Sequence, residues 1–423
     1  MKLFKREKYL KKIRGFYHAS DIIKVITGVR RCGKSSLMEI IVQELVRSGV
    51  PAEQIIFLNL DRREYRKIKT ADQLDELIAG FPRHGELMYL FIDEVQNVAD
   101  FEEVINGFRE DGGYSIFITG SNSYMLSGEL ATKLTGRYLE TEMFPLSFDE
   151  YLEMKTFYGK SVDANLTIEL NKYILEGGFP RAVQIDDLND KRSYTQGVVA
   201  EIFEKDIRRR VKIRNKEAFE AVRRFIVNNF GSTMSINSLH KALVKNGMAI
   251  TRITVSNYIQ VLLDAKILYT CDRFDMKTKR ALHGEKKYYL SNLSFYFCDN
   301  TDTRINYGPV LENLVYFYAK SQGCSVSVGR IGNLECDFIL RNPEQDYSYV
   351  QVAYTIAASR EAEDREYRPL EQIRDNYPKY LMTTDFLLQK RNGIKHVNLM
   401  EFMKNKKTFL QHELRVGFIE LFG

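Results

Sequence analysis

The sequence predicts an α/β protein whose first third is organised on a parallel sheet. Three observations predict it. The β-branched apolar run Ile22–Thr27 leads into the stretch Gly28-Val29-Arg30-Arg31-Cys32-Gly33-Lys34-Ser35-Ser36 and then into a helical pattern, Leu37–Val42. A second apolar run, Leu87–Ile92, ends directly in Asp93-Glu94. Strand and helix patterns alternate from the first of these runs to Phe144, as parallel strands joined by helices require.

Strand, glycine-bounded loop ending in Lys-Ser, then helix is a P-loop. Gly28 and Gly33 allow the backbone to aim N–H groups at a phosphate, and Val29, Arg30, Arg31 and Cys32 complete the loop. Lys34 places a charge on the β and γ oxygens. Ser35 offers its hydroxyl to Mg²⁺, and Ser36 lies in the helix N-terminus, which adds partial positive charge. The expected ligands are ATP and Mg²⁺.

Upstream, Phe4–Tyr17 reads as an amphipathic helix with Tyr9, Leu10, Ile13, Phe16 and Tyr17 on one face. It is expected to cover an edge of the core, with a place beside the adenine as the alternative. Downstream, Gly49-Val50-Pro51 ends the P-loop helix. Gln54–Leu60 is a second buried strand, with Asn59 and Asp61 at the end where such sheets place ligand-facing residues. A helix is expected from about Asp72 to Ala79. The strand Leu87–Ile92 ending in two acids is a Walker B arrangement, in which Asp93 holds the metal through water and Glu94 is the catalytic base. Phe101–Phe108 is helical, Tyr114–Thr119 is a fourth strand, Tyr124–Leu134 a helix, and Tyr138–Phe144 the fifth strand.

In order, the chain carries ITGVRRCGKSSL, FIDEVQ, ITGSNSYMLSGELATKLTGRYLE, PLSFDEYL, EGGFPRAV, LENLVYFYA and DNYPKYLMTTD. This combination resembles the bacterial and archaeal AAA-like ATPases that carry a C-terminal domain of unknown function. The resemblance spans nearly the whole chain, and it implies nucleotide binding and hydrolysis. It puts a sensor for the γ-phosphate among Thr119, Ser121 and Asn122, with Asn122 or Ser121 favoured. It puts Arg137, between the helix and the fifth strand, where such enzymes carry an arginine finger, usually contributed to a neighbouring subunit. A salt bridge to a nearby carboxylate is the competing role for Arg137. Arg181 resembles a second sensor arginine in the lid.

The remaining chain is expected to form a helical lid (146–215), a winged-helix domain (216–300) and a nuclease-like α/β domain (301–423), after the ATPase core (1–145). Lys205–Lys216 is the most basic stretch, and a solvated helix face or a partner to the acidic lid is favoured over phosphate contact with DNA or RNA. In the winged helix, Thr251–Leu263 takes the recognition position, so Thr251, Arg252, Thr254, Asn257 and Tyr258 are candidates for contact with DNA. Ile267–Phe274 and Lys286–Leu290 form the wing, with a basic tip at Lys277–Arg280. In the tail, Glu312 on a helix and Asp337 on a strand follow the PD-(D/E)XK layout. The last motif, however, reads Gln351-Val352-Ala353 and lacks the lysine that would activate water. The fold is therefore expected without the cleavage chemistry.

The 423-residue chain has a formal charge of +6 and five scattered cysteines, Cys32, Cys271, Cys298, Cys324 and Cys336, without metal-ligand spacing. Reduced thiols and a cytoplasmic location are expected. No apolar run is long enough to cross a membrane. The chain is expected to be an ATPase that passes a conformational change to its tail. Its expected partners are ATP, DNA at the winged helix and further copies of itself. An ATP-gated nuclease and a nucleotide-regulated binding protein with negligible turnover are the alternatives.

Overall fold

The computed structural model describes residues 2–120, 136–208, 213, 215–300, 304–342, 344 and 346–409. Five strands form the N-terminal sheet: β1 (Ile23–Thr27), β2 (Ile55–Asn59), β3 (Met88–Asp93), β4 (Tyr114–Thr119) and β5 (Tyr138–Glu142). All pairings are parallel, in the order β2-β3-β4-β1-β5. β1, β3 and β4 are buried along their whole length, which is why they read as unbroken apolar runs. Ile23, Val25, Leu90 and Ile92 face one layer, shared with Leu74, Ile78, Val104 and Ile105 of the helices Ala71–Ala79 and Phe101–Glu110. Ile26, Phe91 and Phe117 face the other, shared with Leu37, Met38 and Ile41 of the P-loop helix Lys34–Arg47 and with Tyr9, Leu10 and Ile13. Because the strands run one way, the P-loop, Asp93 and Thr119 come out at the same sheet edge.

The N-terminal helix is shorter than its pattern suggested. It spans Glu7–Ile13 and tightens into a 3-10 turn, Arg14–Phe16. Arg6 leaves the helical conformation because its side chain turns inward and is tied to the core. After β5 come the helices Phe148–Phe157, Leu166–Glu176, Pro180–Val183 and Leu188–Glu201, the last running into a π-helical stretch, Ile202–Arg208. The expected helix Tyr124–Leu134 lies outside the described residues, as do Ser121 and Asn122.

Three further helices, Lys216–Asn228, Ile236–Lys245 and Arg252–Asp264, precede a hairpin made of β7 (Leu268–Asp275) and β8 (Arg280–Leu290). The short strand β6 (Thr233–Met234) pairs with β8. The hairpin does not stand free. β7 also pairs, in parallel, with β9 (Ser325–Ile331), from Asp272 opposite Ser327 to Asp275 opposite Arg330. The sheet continues through β10 (Leu334–Arg341), β11 (Tyr347–Val352) and β12 (Lys379–Thr383) to β14 (Ile394–Asn398) and β13 (Lys390–Arg391), nine strands in all. The tail thus completes the edge that a lone hairpin would leave unpaired, and one sheet crosses the expected boundary at residue 300.

The two sheets meet through the exit of β5. Phe144 packs edge-on against Tyr269 and Phe317 at 5.7 and 5.5 Å between ring centres. Glu142 accepts hydrogen bonds from Lys266 and, at 2.9 Å, from the Tyr269 hydroxyl. Asn292 Oδ1 accepts from the Gly178 amide at 3.2 Å.

Candidate nucleotide site

The P-loop turn depends on backbone that few residues adopt. Gly28 has φ +138°, and a Cβ there would lie 2.1 Å from the Met143 carbonyl oxygen. Gly33 has φ +107°. Arg31 is left-handed without being glycine, at φ 68°. Val29 and Cys32 are buried in the core, so they offer the loop backbone only. The Lys34 ammonium is buried and donates to the carbonyls of Gly28 and Val29 at 2.9 and 3.2 Å.

At the same edge, Asp93 is buried with both carboxylate oxygens held. Asn59 Nδ2 donates to Oδ2 at 2.8 Å, and the Thr119 hydroxyl donates to Oδ1. The Thr119 oxygen also accepts from the Glu94 amide at 3.0 Å. Glu94 follows in the left-handed region, φ 58°, and its carboxylate receives the Gln96 amide and faces Arg30 at 3.7 Å. Of the three sensor candidates, Thr119 therefore braces both acids from behind, and Ser121 and Asn122 lie outside the described residues.

A cavity of about 620 Å³ joins these groups. Its polar lining includes Arg30, Arg31, Lys34, Ser35, Asp93 and Glu94, together with Asn59, Asp61, Arg181, Glu201 and Lys205. Its apolar lining includes Leu3, Phe4, Leu37, Ile40, Met154 and Tyr158. Charged and apolar side chains on one cavity fit a phosphorylated nucleotide. The segment just before the N-terminal helix thus supplies part of the apolar lining, and the helix itself packs on the core.

The donor set also fits Mg²⁺. Among the described residues no group of three or more His, Cys, Asp or Glu is placed to hold a metal ion. One carboxylate, Asp93, and one hydroxyl, Ser35, are what a cation that keeps water and takes its remaining ligands from phosphate requires. Asp61 and Glu201 stay ionised. Burial acts to raise the pKa of each, but hydrogen bonds outweigh it and hold both below the ordinary range: Lys205 and Asn97 on Asp61, Lys205 and Arg31 on Glu201.

Two expected residues differ in placement. Arg181, at the start of Pro180–Val183, lines the cavity and bonds to Gln184. Arg137 does not reach this chain's own site. Its carbonyl accepts from the Ile23 amide at the opposite edge of the sheet, and its guanidinium pairs with Glu110 at 2.8 Å. Two residues carry weight that the sequence did not signal: Arg6 and Glu201 look in the sequence like other surface charges, and only the fold brings them to the P-loop. Lys205, which opens the basic stretch, pairs with Glu201 and Asp61.

The tail acids are arranged differently. Lys287 on β8 pairs with Glu312 and Glu335, at 2.9 Å each. Asp337 is buried and accepts from the Val352 amide at 2.8 Å, and its own amide donates to the Gln351 side-chain oxygen at 3.3 Å. Burial and the Glu312 charge push the Asp337 pKa well up. Tyr258, expected to face DNA, is buried instead, and its hydroxyl donates to the Asn215 carbonyl at 3.2 Å.

Residues 20–152 match the family model described as an AAA domain, and residues 167–298 match a domain of unknown function (DUF8612). An uncharacterized protein of Haemophilus influenzae is 33% identical over 405 residues, covering 95% of this chain and 98% of its own. An uncharacterized protein of Methanocaldococcus jannaschii is 32% identical over 347 residues, covering 79% of this chain and 75% of its own. Among solved structures, a Walker-type ATPase of Pyrococcus abyssi aligns with a TM-score of 0.48 at 14% identity, over 70% of this chain and 95% of that one. No helix among the described residues is long and apolar enough to cross a membrane. The full-length match to the Haemophilus protein and the AAA-domain match over the P-loop sheet together make this chain a member of that AAA-like family.

Proposed function

We propose that the protein is a Mg²⁺-dependent ATPase whose nucleotide cycle moves the helical region after β5 and, through it, the nine-stranded body. The observation that carries this reading is the convergence of Lys34, Ser35, Asp93 and Glu94 on one cavity lined by both charged and apolar side chains. ATP with Mg²⁺ supplies the phosphoanhydride and the charge that polarises it. Lys34 and the loop amides hold the phosphates, Ser35 and Asp93 hold the metal, and Glu94 takes the proton of the attacking water. Arg181 faces the same cavity from the lid. Arg137 serves a neighbouring copy if it serves catalysis at all, which makes a homo-oligomer part of the proposal.

The test is ATP turnover by pure protein. The expected result is multiple turnovers that need Mg²⁺, a loss of about 100-fold or more in Glu94→Gln with binding kept, and loss of binding in Lys34→Ala. Wild-type turnover in Glu94→Gln would overturn the assignment, and single-turnover behaviour in the wild type would favour the binding-protein alternative.

Association with DNA is supported by a second observation. Arg252, at the start of its helix, and Lys277, Lys279 and Arg280, at the hairpin turn, are all exposed. Three helices followed by a hairpin is the order of a winged helix. Salt-dependent DNA binding that weakens in Arg252→Ala or Lys279→Ala is the expected result. The nuclease alternative is the weaker one, because Gln351 and Ala353 stand where an acid and a lysine are needed. Plasmid left intact by pure protein with Mg²⁺ or Mn²⁺ is the expected outcome.

A further inference from the structure

The arginines of the P-loop are already engaged by carboxylates of the protein. Glu201, the last residue of the helix Leu188–Glu201, accepts from Arg31 Nε and Nη2 at 3.0 and 2.9 Å through one oxygen. Its other oxygen lies 3.0 Å from the Lys205 ammonium and 3.8 Å from Arg30 Nη1. Arg30 also faces Asp61 at 3.6 Å and Glu94 at 3.7 Å. Lys205 reaches across to Asp61 at 3.1 Å. All six side chains line the cavity that holds Lys34.

The balance of charge within that network matters. Arg30, Arg31 and Lys205 are three cations, and Glu201, Asp61 and Glu94 are three carboxylates, so this network is balanced within itself, while Lys34 and Arg181 on the same cavity add positive charge. A terminal phosphate arriving at Lys34 competes with Glu201 for the same guanidinium groups, and two anions so close repel each other. Glu201 is not an isolated surface acid. It marks the point where an α-helix changes to the π-helical stretch Ile202–Arg208, a form often found at functional sites. Displacing its carboxylate therefore acts on the element that leads into the helices before the hairpin.

We propose that Glu201 is a built-in phosphate mimic that latches the lid helix to the P-loop, and that a nucleoside triphosphate, more than a diphosphate, displaces it. The latch rests on the nucleotide-site reading above. It adds that the lid reports the terminal phosphate through Arg30 and Arg31 in the same chain, without a neighbouring subunit. It also adds that nucleotide affinity is held down by the carboxylate it must displace.

The test compares wild type with Glu201→Gln in direct binding of a non-hydrolysable ATP analogue and of ADP. Amide hydrogen exchange over residues 188–208 is followed in parallel. Glu201→Gln should bind the triphosphate about 5-fold or more tightly, the lower end of ordinary coupling between sites, with less than a 2-fold change for ADP. In the free variant, residues 188–208 should exchange as fast as they do in wild type with triphosphate bound. Glu201→Asp, which keeps the charge but shortens the reach, should fall between the two. Equal or weakened affinity for both nucleotides in Glu201→Gln overturns the latch, as does exchange over 188–208 that triphosphate leaves unchanged in wild type. Failure of wild type to bind any nucleotide, matching Lys34→Ala, overturns the nucleotide-site reading itself.

Discussion

Arg6 and Glu150 meet as a two-point ion pair, Nη2 to Oε2 at 2.6 Å and Nε to Oε1 at 2.9 Å, although 144 residues separate them. Both side chains are only 5% exposed. The same guanidinium donates to the carbonyls of Cys32, Phe144 and Pro145. One side chain thus ties the P-loop, the exit of β5 and the helix Phe148–Phe157 together. Removing it takes a donor from three carbonyls and leaves the buried Glu150 carboxylate with only Lys8 and Ser147 as partners among the described residues. Arg6→Ala should cost about 3–5 kcal/mol, the usual loss when one partner of a buried pair goes. Chemical denaturation measures this. Arg6→Lys should recover only part, since an ammonium cannot repeat the fork. A loss under 1 kcal/mol in Arg6→Ala would show that the pair does not hold these elements.

Glu44 on the P-loop helix makes a similar clamp nearer the surface. It accepts from Arg14, Lys5 and Tyr17 at 2.8 to 3.0 Å. The Arg14 hydrogen bonds, with those of Lys5 and Tyr17, pull its pKa down to about 2, below the ordinary carboxylate value of 4.5. A folded-state pKa below the unfolded one gives stability that is present above pH 4.5 and is lost as pH falls toward 2. Part of the site is open to solvent, so screening reduces the effect to about 1–2 kcal/mol. Glu44→Gln should therefore be less stable than wild type at pH 7, and the gap should close between pH 4.5 and 2. A gap that persists at the acid end would assign the loss to something other than the carboxylate charge.

How far the sequence carried the site can be judged from particular residues. The P-loop, Asp93 and Glu94 were legible because a short motif and a strand end fix their geometry locally. Asn59 and Asp61 were legible because parallel strands end at one edge. Arg6 and Glu201 were not, since Glu150 lies 144 residues from Arg6 and Arg31 lies 170 from Glu201, and a surface charge has the same composition as a buried one. The strands of the tail were readable one by one from their apolar runs. Their fusion with the hairpin was not, because nothing in Asp272–Asp275 signals which strand will take its free edge. Tyr258 went astray for a related reason: its position on a recognition-type helix said nothing of the packing that turned it to the core.

Arg137 offers a prediction about assembly. Its guanidinium is 46% exposed and its pairing with Glu110 is a surface contact, so Arg137→Ala should change stability by less than about 1 kcal/mol. If the active form is an oligomer with Arg137 acting on the next copy, nucleotide affinity should stay near wild type while turnover falls about 10-fold or more. Mixing Arg137→Ala with Glu94→Gln should then restore part of the activity, because some interfaces pair an intact Glu94 with an intact Arg137. Full turnover in Arg137→Ala would leave the residue as a surface ion pair and nothing more.

Lys287 tests what the tail acids are for. It lies in β8, ahead of the boundary expected between domains, yet pairs with Glu312 on the helix Tyr307–Ser321 and with Glu335 on β10. Burial opposes its charge, but Glu312, Asp337 and Glu335 together raise its pKa. It therefore stays an ammonium, neutralising acids of the helix and of β10 that pack against it. Lys287→Met should destabilise the nine-stranded body by about 3 kcal/mol, because Glu312 and the buried Asp337 lose the cation beside them while Glu335 keeps Arg273. The second variant Lys287→Met with Glu312→Gln should recover part of that loss, since less charge is left unpaired. Neither should alter the affinity of the P-loop site for nucleotide, because the cluster lies outside that cavity. A Lys287→Met protein of wild-type stability that gains Mg²⁺ binding at Glu312 and Asp337 would instead mean that the lysine masks a metal site, and would return the nuclease reading to the front.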